Sequence, residues 1–221
     1  MAARRIEPGT ARPGTTPERR AAEARLLADT QAGSASAFRV LVGRYLPAVV
    51  ALSRRMLGDD AEAEDAAQET LMRLWHNAGV IEVGEGGLQP WLNRVAANIC
   101  LDRIRARRRR ATPMDVLPEL PDPPRQHDQL AREQLAARVD QALQRLPERQ
   151  RLALVLFHFQ GQSQGEAAAA LGISEEALES LLARARRALK SDLASEWQSL
   201  LPDSEHGQAT AGWKRWHDEE M

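Results

Sequence analysis

Between Ala111 and His127 the chain carries five prolines: Pro113, Pro118, Pro121, Pro123 and Pro124. Each removes a backbone donor and fixes φ, so no helix or inner strand runs through this stretch. Asp115, Glu119 and Asp122 make it acidic. It reads as an extended, semi-rigid spacer, and it divides the 221 residues into two units at the small end of domain size. Ala, Leu, Arg, Glu and Gln dominate the flanking segments, β-branched residues are sparse, and no long window alternates apolar with polar. Those are helix-formers without a strand period. The expected fold is all-α: two small helical domains joined by a Pro-rich linker.

Residues 1–21, with Pro8, Pro13 and Pro17 and no apolar period, read as a disordered basic arm. Helical periodicity starts near Ala21. Leu26, Leu27, Phe38, Leu41, Val42, Tyr45 and Leu46 recur at helical steps and mark one helix face. Gly58, Asp59 and Asp60 punctuate, and a helix with an Ala67, Leu71, Leu74, Trp75 stripe runs from about Asp60 to Trp75. Four glycines (Gly79, Gly84, Gly86, Gly87) make the next stretch too flexible for regular structure. Pro90 opens another helix, with Trp91, Leu92, Val95, Ala96 and Ile99 as its buried side. These elements make a first domain over 22–110.

Past the 111–127 linker, a second domain covers 128–193. Pro147 suits a first helical turn, Leu152, Val155, Leu156 and Phe159 form an apolar face, and Gly161 ends it. Ser163 and Glu166 have capping-box spacing. Leu171-Gly172 closes a short Ala-rich helix, and Ser174, followed by Glu175 and Glu176, has the form of a second N-cap. Ile173 and Leu178 sit where a hydrophobic staple would. Together they spell helix-turn-helix, and an ordinary helical hairpin shares that grammar. Arg184, Arg186, Arg187 and Lys190 on the distal half of its second helix suit phosphate contact. Residues 194–221 form an acidic tail with Trp197, Trp213 and Trp216, whose role the sequence leaves open.

The formal net charge of -1 hides a strong asymmetry. Leu101 to Arg110 holds six Arg against one Asp, a candidate polyanion site. The single cysteine, Cys100, excludes an internal disulfide and fits a reducing compartment. The five histidines lack metal-ligand spacing, and the phosphate-loop, H-E-x-x-H and G-x-S-x-G motifs are missing. No catalytic residue, metal or cofactor is therefore expected. The apolar run Leu152 to Phe157 is too short to cross a bilayer, and no signal peptide follows Arg4 and Arg5. A cytoplasmic protein without membrane insertion is expected.

Two blocks resemble one family, the extracytoplasmic-function sigma factors. Glu62-Ala63-Glu64-Asp65-Ala66-Ala67-Gln68-Glu69-Thr70-Leu71-Met72-Arg73-Leu74-Trp75 is similar to the family's D-A-E-D-x-x-Q-E-T-F-x-R-x-W helix. Trp91-Leu92, Val95-Ala96, Asn98 and Asp102 with the arginines beyond them resemble its W-L-x-x-I-A-x-N-x-x-x-D pattern. Leu146-Pro147-Glu148-Arg149-Gln150-Arg151 and the helix-turn-helix resemble sigma region 4.

The resemblance implies a non-enzymatic DNA-binding subunit that directs core RNA polymerase to promoters. Asp65, Gln68, Glu69 and Arg73 would dock on the coiled coil of the largest polymerase subunit. The loop Asn77 to Gln89 and the following helix would read and melt the minus-ten element, with Asn98, Asp102, Arg103 and Arg105 near the strand and Arg107 and Arg108 on phosphates. Ser174, Ser180, Arg184, Arg187 and Lys190 would meet the minus-thirty-five duplex. An anti-sigma factor is the further partner implied.

Blander readings stand beside these: a solvated helix face for the docking set, a mutual hydrogen bond for Asn98 and Asp102, core packing for Trp91, a quiet buried thiol for Cys100, and a boundary site for His158. One departure stands out. Where the family often has T-V-K-S-R-L, this chain has Ala177-Leu178-Glu179-Ser180-Leu181-Leu182. Two cations are lost, which motivates an alternative: a sigma-like decoy that sequesters a regulator.

Overall fold

The computed structural model describes residues 15–110 and 137–193, with the backbone of the last helix followed to Leu200. The proline-rich spacer and the Trp-containing tail lie outside the described side chains. Apart from an isolated bridge between Gly84 and Gly87, every regular element among the described residues is helical.

Thr16 and Pro17 start helix α1 (Pro17–Gln31) four residues before the apolar pattern begins, which corrects the expected arm over 1–21. The reason is local: the Thr16 hydroxyl accepts from the Arg19 amide at 3.3 Å, and proline at N1 forfeits a donor that had no partner anyway. The single helix face expected through Leu26 and Leu46 is two helices. Gly33, at φ 90°, turns the chain, and Ser34 caps α2 (Ala35–Leu57) by accepting from the Ala37 amide.

Gly58, at φ 69°, ends α2. Asp59 caps α3 (Asp60–Asn77) through the Glu62 amide at 2.8 Å. That helix runs two residues beyond the expected Trp75. After the loop, α4 (Gln89–Arg110) carries all of the clustered arginines. Leu41, Tyr45, Val49, Leu52 and Met56, spaced at helical steps, put the centre of the first core on α2. Leu71 and Leu74 from α3 and Leu92, Ala96, Ile99 and Cys100 from α4 close over them. By length and composition α2 would pass for a membrane span; here its apolar stripe is the middle of a helical bundle.

The second unit begins with α5 (137–145), then α6 (Glu148–Leu154), which Pro147 caps rather than enters. It continues as a π-helical turn, Val155–Phe159. The wider turn carries Phe159 off the apolar face expected for it. Phe159 is 38% exposed, with the Arg55 guanidinium 4.3 Å from its ring centroid. Helices α7 (Gln164–Leu171) and α8 (Glu175–Leu200) follow.

The two units share one contiguous apolar cluster. Their contact is polar at its edges and specific. Arg151, 8% exposed, donates to the Met56 carbonyl at 2.6 Å. The Gln144 amide donates to the Arg55 carbonyl at 2.8 Å, and the Gln160 amide to the Ala48 carbonyl at 3.1 Å. Helix α7 rests on α4. The second unit thus lies against the α2 and α4 side of the first.

Candidate nucleic-acid interface

Helix α3 has two faces. Ala63, Ala66, Ala67, Thr70, Leu71 and Leu74 are buried, which leaves Asp65, Gln68 and Arg73 exposed and Glu69 half-buried. Glu69 and Arg73, one turn apart, pair at 2.6 Å. The polar set therefore forms a continuous ledge.

Helix α4 crosses beside it and sorts its charges by helical position. Asn98, Asp102 and Arg105 stand one turn apart on an exposed stripe. The Asp102 carboxylate pairs with Arg105 at 3.2 Å. Arg103 and Arg107 fall on the stripe that faces α3. Arg103 approaches Glu69 at 3.4 Å and Asp65 at 3.8 Å and donates to the Glu62 carbonyl. Arg107 pairs with Glu62 at 2.7 Å. Arg108 points the other way, to Glu148 of α6, at 2.8 Å. The ledge and the arginine cluster, read from sequence as separate sites, therefore meet through Arg103. Glu62 and Glu148 were missed. Both partners lie dozens of residues from their arginines, and nothing in local spacing announces them.

These pairs are weak locks. All the arginines involved are at least 29% exposed at the side chain, and ion pairs in such settings contribute roughly 0–1 kcal/mol. Both Arg107 and Arg108 therefore stay open to solvent despite their partners. The four arginines of the last turn also suit the negative end of the α4 dipole.

Between α3 and α4 the loop 78–88 wraps back toward α1. Ala78 and Leu88 are buried, while Val80 is 79% exposed. An open cleft of about 610 Å³ lies between α1 and this loop, lined by Ala24, Leu27, Ala78, Ile81 and Val83 among others. Contrary to the expected lack of structure, Gly84 to Gly87 close as a tight turn, the Gly87 amide donating to the Gly84 carbonyl at 3.0 Å. Trp91 is half-buried against the core, and Phe38 meets Trp75 edge to face at 4.9 Å. Cys100 is buried, and burial pushes its thiol up to about 11. That is an inert thiol.

In the second unit the expected capping box is complete. The Glu166 amide donates to Ser163 Oγ at 3.2 Å and the Ser163 amide to Glu166 Oε2 at 2.9 Å. Gly172, at φ 64°, makes the turn. Ser174 accepts from the Ala177 amide at 3.2 Å. Together with the backbone it holds the Glu176 carboxyl below its usual range.

On α8, Leu178, Leu182 and Ala185 are buried, and Ser174, Ser180, Arg184, Arg187 and Lys190 are exposed. Of the expected minus-thirty-five residues, Ser180, Arg184 and Arg187 follow helical steps along one accessible side. The departures from the family pattern are taken up by the motif itself. Glu179 accepts from the Gln164 amide of α7 at 2.8 Å, and Leu181 packs against the core. Arg186 is held by His158 at 3.2 Å, where burial and then Arg186 lower the imidazole pKa.

Residues 41–110 match the family described as sigma-70 region 2, and residues 136–189 match sigma-70 region 4. The ECF RNA polymerase sigma factor SigM of Mycobacterium tuberculosis is 34% identical over 169 residues, covering 76% of this chain and 82% of that protein. RNA polymerase sigma-H factor of Pseudomonas aeruginosa is 31% identical, covering 76% and 92% respectively. Among solved structures, CnrH in complex with the cytosolic domain of CnrY aligns with a TM-score of 0.59 at 28% identity, covering 79% of this chain and 98% of that one. The sigma factor RpoE in complex with the anti-sigma factor NepR, from Bartonella quintana, gives 0.58 at 26% identity, covering 71% and 96%.

Proposed function

The chain belongs to the extracytoplasmic-function RNA polymerase sigma factors, and on that premise we propose how its surfaces divide the work of promoter-specific initiation. It acts as a non-enzymatic subunit in the cytoplasm. The α3 ledge of Asp65, Gln68, Glu69 and Arg73 docks on core polymerase. The Asn98, Asp102 and Arg105 stripe of α4, with the 78–88 loop, meets the unpaired minus-ten strand, and Arg107 and Arg108 take phosphates. Flipped bases need stacking surfaces and cationic backbone contacts to offset unstacking; the open cleft between α1 and the loop would take the base, and the arginines of α4 would meet the backbone. The exposed side of α8 enters the minus-thirty-five major groove.

A single observation carries this reading. Each matched region presents one exposed polar face opposite its buried core: Asp65, Gln68 and Arg73 with Asn98, Asp102 and Arg105 in the first, Ser180, Arg184 and Arg187 in the second. A decoy would need neither.

The packed arrangement is the resting form. In it Glu148 stands at Arg108 where a phosphate would stand, and α7 covers part of α4. Binding of promoter and polymerase separates the units. A negative regulator of the anti-sigma type, as RpoE has in NepR, would act by holding them together.

Run-off transcription with core polymerase tests the assignment. Wild type should give defined transcripts. Gln68→Ala with Arg73→Ala should lose core binding, and Asn98→Ala with Arg105→Ala should keep core binding but lose opening. Transcripts unchanged by both double variants would overturn it.

A further inference from the structure

Glu23 is fully buried and carries a charge into the first core. Burying an ion is costly unless donors surround it, and four do. Its Oε1 accepts from the Tyr45 hydroxyl and from Arg19 Nε at 3.0 Å, and lies 3.5 Å from Arg44. Its Oε2 accepts from the backbone amide of Leu88 at 2.9 Å. Three partners belong to the α1–α2 pair. The fourth is the last residue of the 78–88 loop, 65 positions away.

We propose that Glu23 is a positioning residue for minus-ten recognition: its carboxylate fixes the end of the promoter-reading loop against α1. This rests on the reading of that loop given above. Glu23 lies outside residues 41–110, which match region 2.

The geometry bears on the loop in three ways. Leu88 is the hinge between loop and helix, because its carbonyl accepts the Leu92 amide in the first turn of α4. Holding its amide fixes where α4 begins and therefore where Asn98 and Arg105 point. Gly87, next to it, stands at φ 75°, and a Cβ there would come 2.7 Å from Glu23 Oε2. The loop end thus passes the carboxylate with no space for a side chain. Finally, α1 supplies Ala24 and Leu27 to one wall of the cleft and the loop supplies Ile81 and Val83 to the other. Glu23 joins the two walls. An apolar residue in its place would leave the Leu88 amide and the Tyr45 hydroxyl without their acceptor; only an acceptor holds the loop.

The test uses the full chain with core polymerase. Open-complex rates are measured by 2-aminopurine fluorescence on a promoter and on one with a substituted minus-ten base, and their ratio is the readout. General loss of stability slows both templates alike and leaves the ratio unchanged. Glu23→Gln has a single acceptor oxygen, which the donors of Tyr45, Arg19 and Arg44 claim, so its NH2 turns to the Leu88 amide and that bond is lost. Its ratio should fall by roughly tenfold, the low end of what a hydrogen bond to a charged group contributes, with core affinity unchanged. Gly87→Ala, which displaces the loop and leaves the α1–α2 network in place, should reproduce the fall. Tyr45→Phe retains the Leu88 bond and should retain most of the ratio.

A companion variant, Ile81→Ala with Val83→Ala, separates the two levels of inference. If it leaves the ratio intact, the loop does not read the promoter and the underlying assignment fails. If it lowers the ratio while Glu23→Gln and Gly87→Ala do not, the loop reads but Glu23 does not position it.

Discussion

Removing the Arg151 side chain should loosen the contact between the two units more than any surface charge would. Helix α2 ends at Gly58, so its last carbonyls have no partner within the helix. Two of them are served from the other unit: Arg55 by the Gln144 amide, and Met56 by Arg151. The guanidinium also donates to the Gln144 carbonyl at 3.0 Å and the Leu146 carbonyl at 3.3 Å, and it contacts the Gln144 side chain. It is thus a fork that ties α6 to the corner before it and to the end of α2.

Burial lowers its pKa, with Glu148 pulling the other way, but an arginine stays charged. Arg151→Ala leaves the Met56 carbonyl and one or both of the α5–α6 corner carbonyls without a donor. Each orphaned buried acceptor costs about 1–3 kcal/mol. Relief of the buried charge and entry of water offset part of that. The net loss should be about 3 kcal/mol of unfolding free energy, the lower end of what removing one partner from a buried charged network costs. Lysine at this position should restore only part, since one ammonium cannot reproduce a planar fork.

Urea denaturation gives the free energy, and small-angle scattering gives the separation of the units, which should increase in Arg151→Ala. A loss below about 1 kcal/mol with unchanged dimensions would refute the reasoning, because it would mean these carbonyls are as well served by water as by Arg151.

Tyr45 is the sole tyrosine, and burial, then its hydrogen bond to Glu23, pushes it up to about 12 from its ordinary 10.0. The neutral phenol is the form the fold favours, so this contribution is complete below pH 10.0 and is lost as the pH climbs to about 12; tyrosinate absorbance should rise late and together with loss of ellipticity, and a rise near the ordinary value in folded protein would contradict it. Cys100, at about 11 and buried, should react with a thiol reagent in native protein far more slowly than after unfolding; equal rates would mean α4 opens readily. Gly172→Ala meets nothing within 4 Å, so its cost is backbone strain alone at φ 64°, about 1–2 kcal/mol, measured as a drop in stability with minus-thirty-five binding weakened and core binding intact.

The helix-turn-helix was legible nearly to the residue. Ser163 with Glu166, Gly172 and Ser174 are local signals, because a cap's partner lies three positions away on the same chain. Helix starts without a matching apolar onset were harder: α1 is set by Thr16 and Pro17, which resemble the proline-containing arm before them. The π-helical turn at Val155–Phe159 has no sequence marker, and it moved Phe159 from core to interface.

The sequence offered the polar residues of α3 and α4 as candidates, but their grouping was not visible. Arg103, Arg105, Arg107 and Arg108 look equivalent along the chain. In the fold, one stripe of α4 faces solvent and another faces Glu62, Asp65 and Glu69. Glu23 and Arg151 also gave no signal, since one acid in a stretch of mixed charge and one arginine among many are unremarkable until burial is known.

By itself, then, the amino-acid order determined what acts over a few residues: helix type, caps, turns, the proline break, and which faces are apolar. The tertiary structure alone decided which charges meet, because ion pairs and buried hydrogen bonds join positions tens of residues apart. Their strength depends on exposure, which no local spacing encodes. The partners of Arg108, Arg151 and Glu23 belong to that second class.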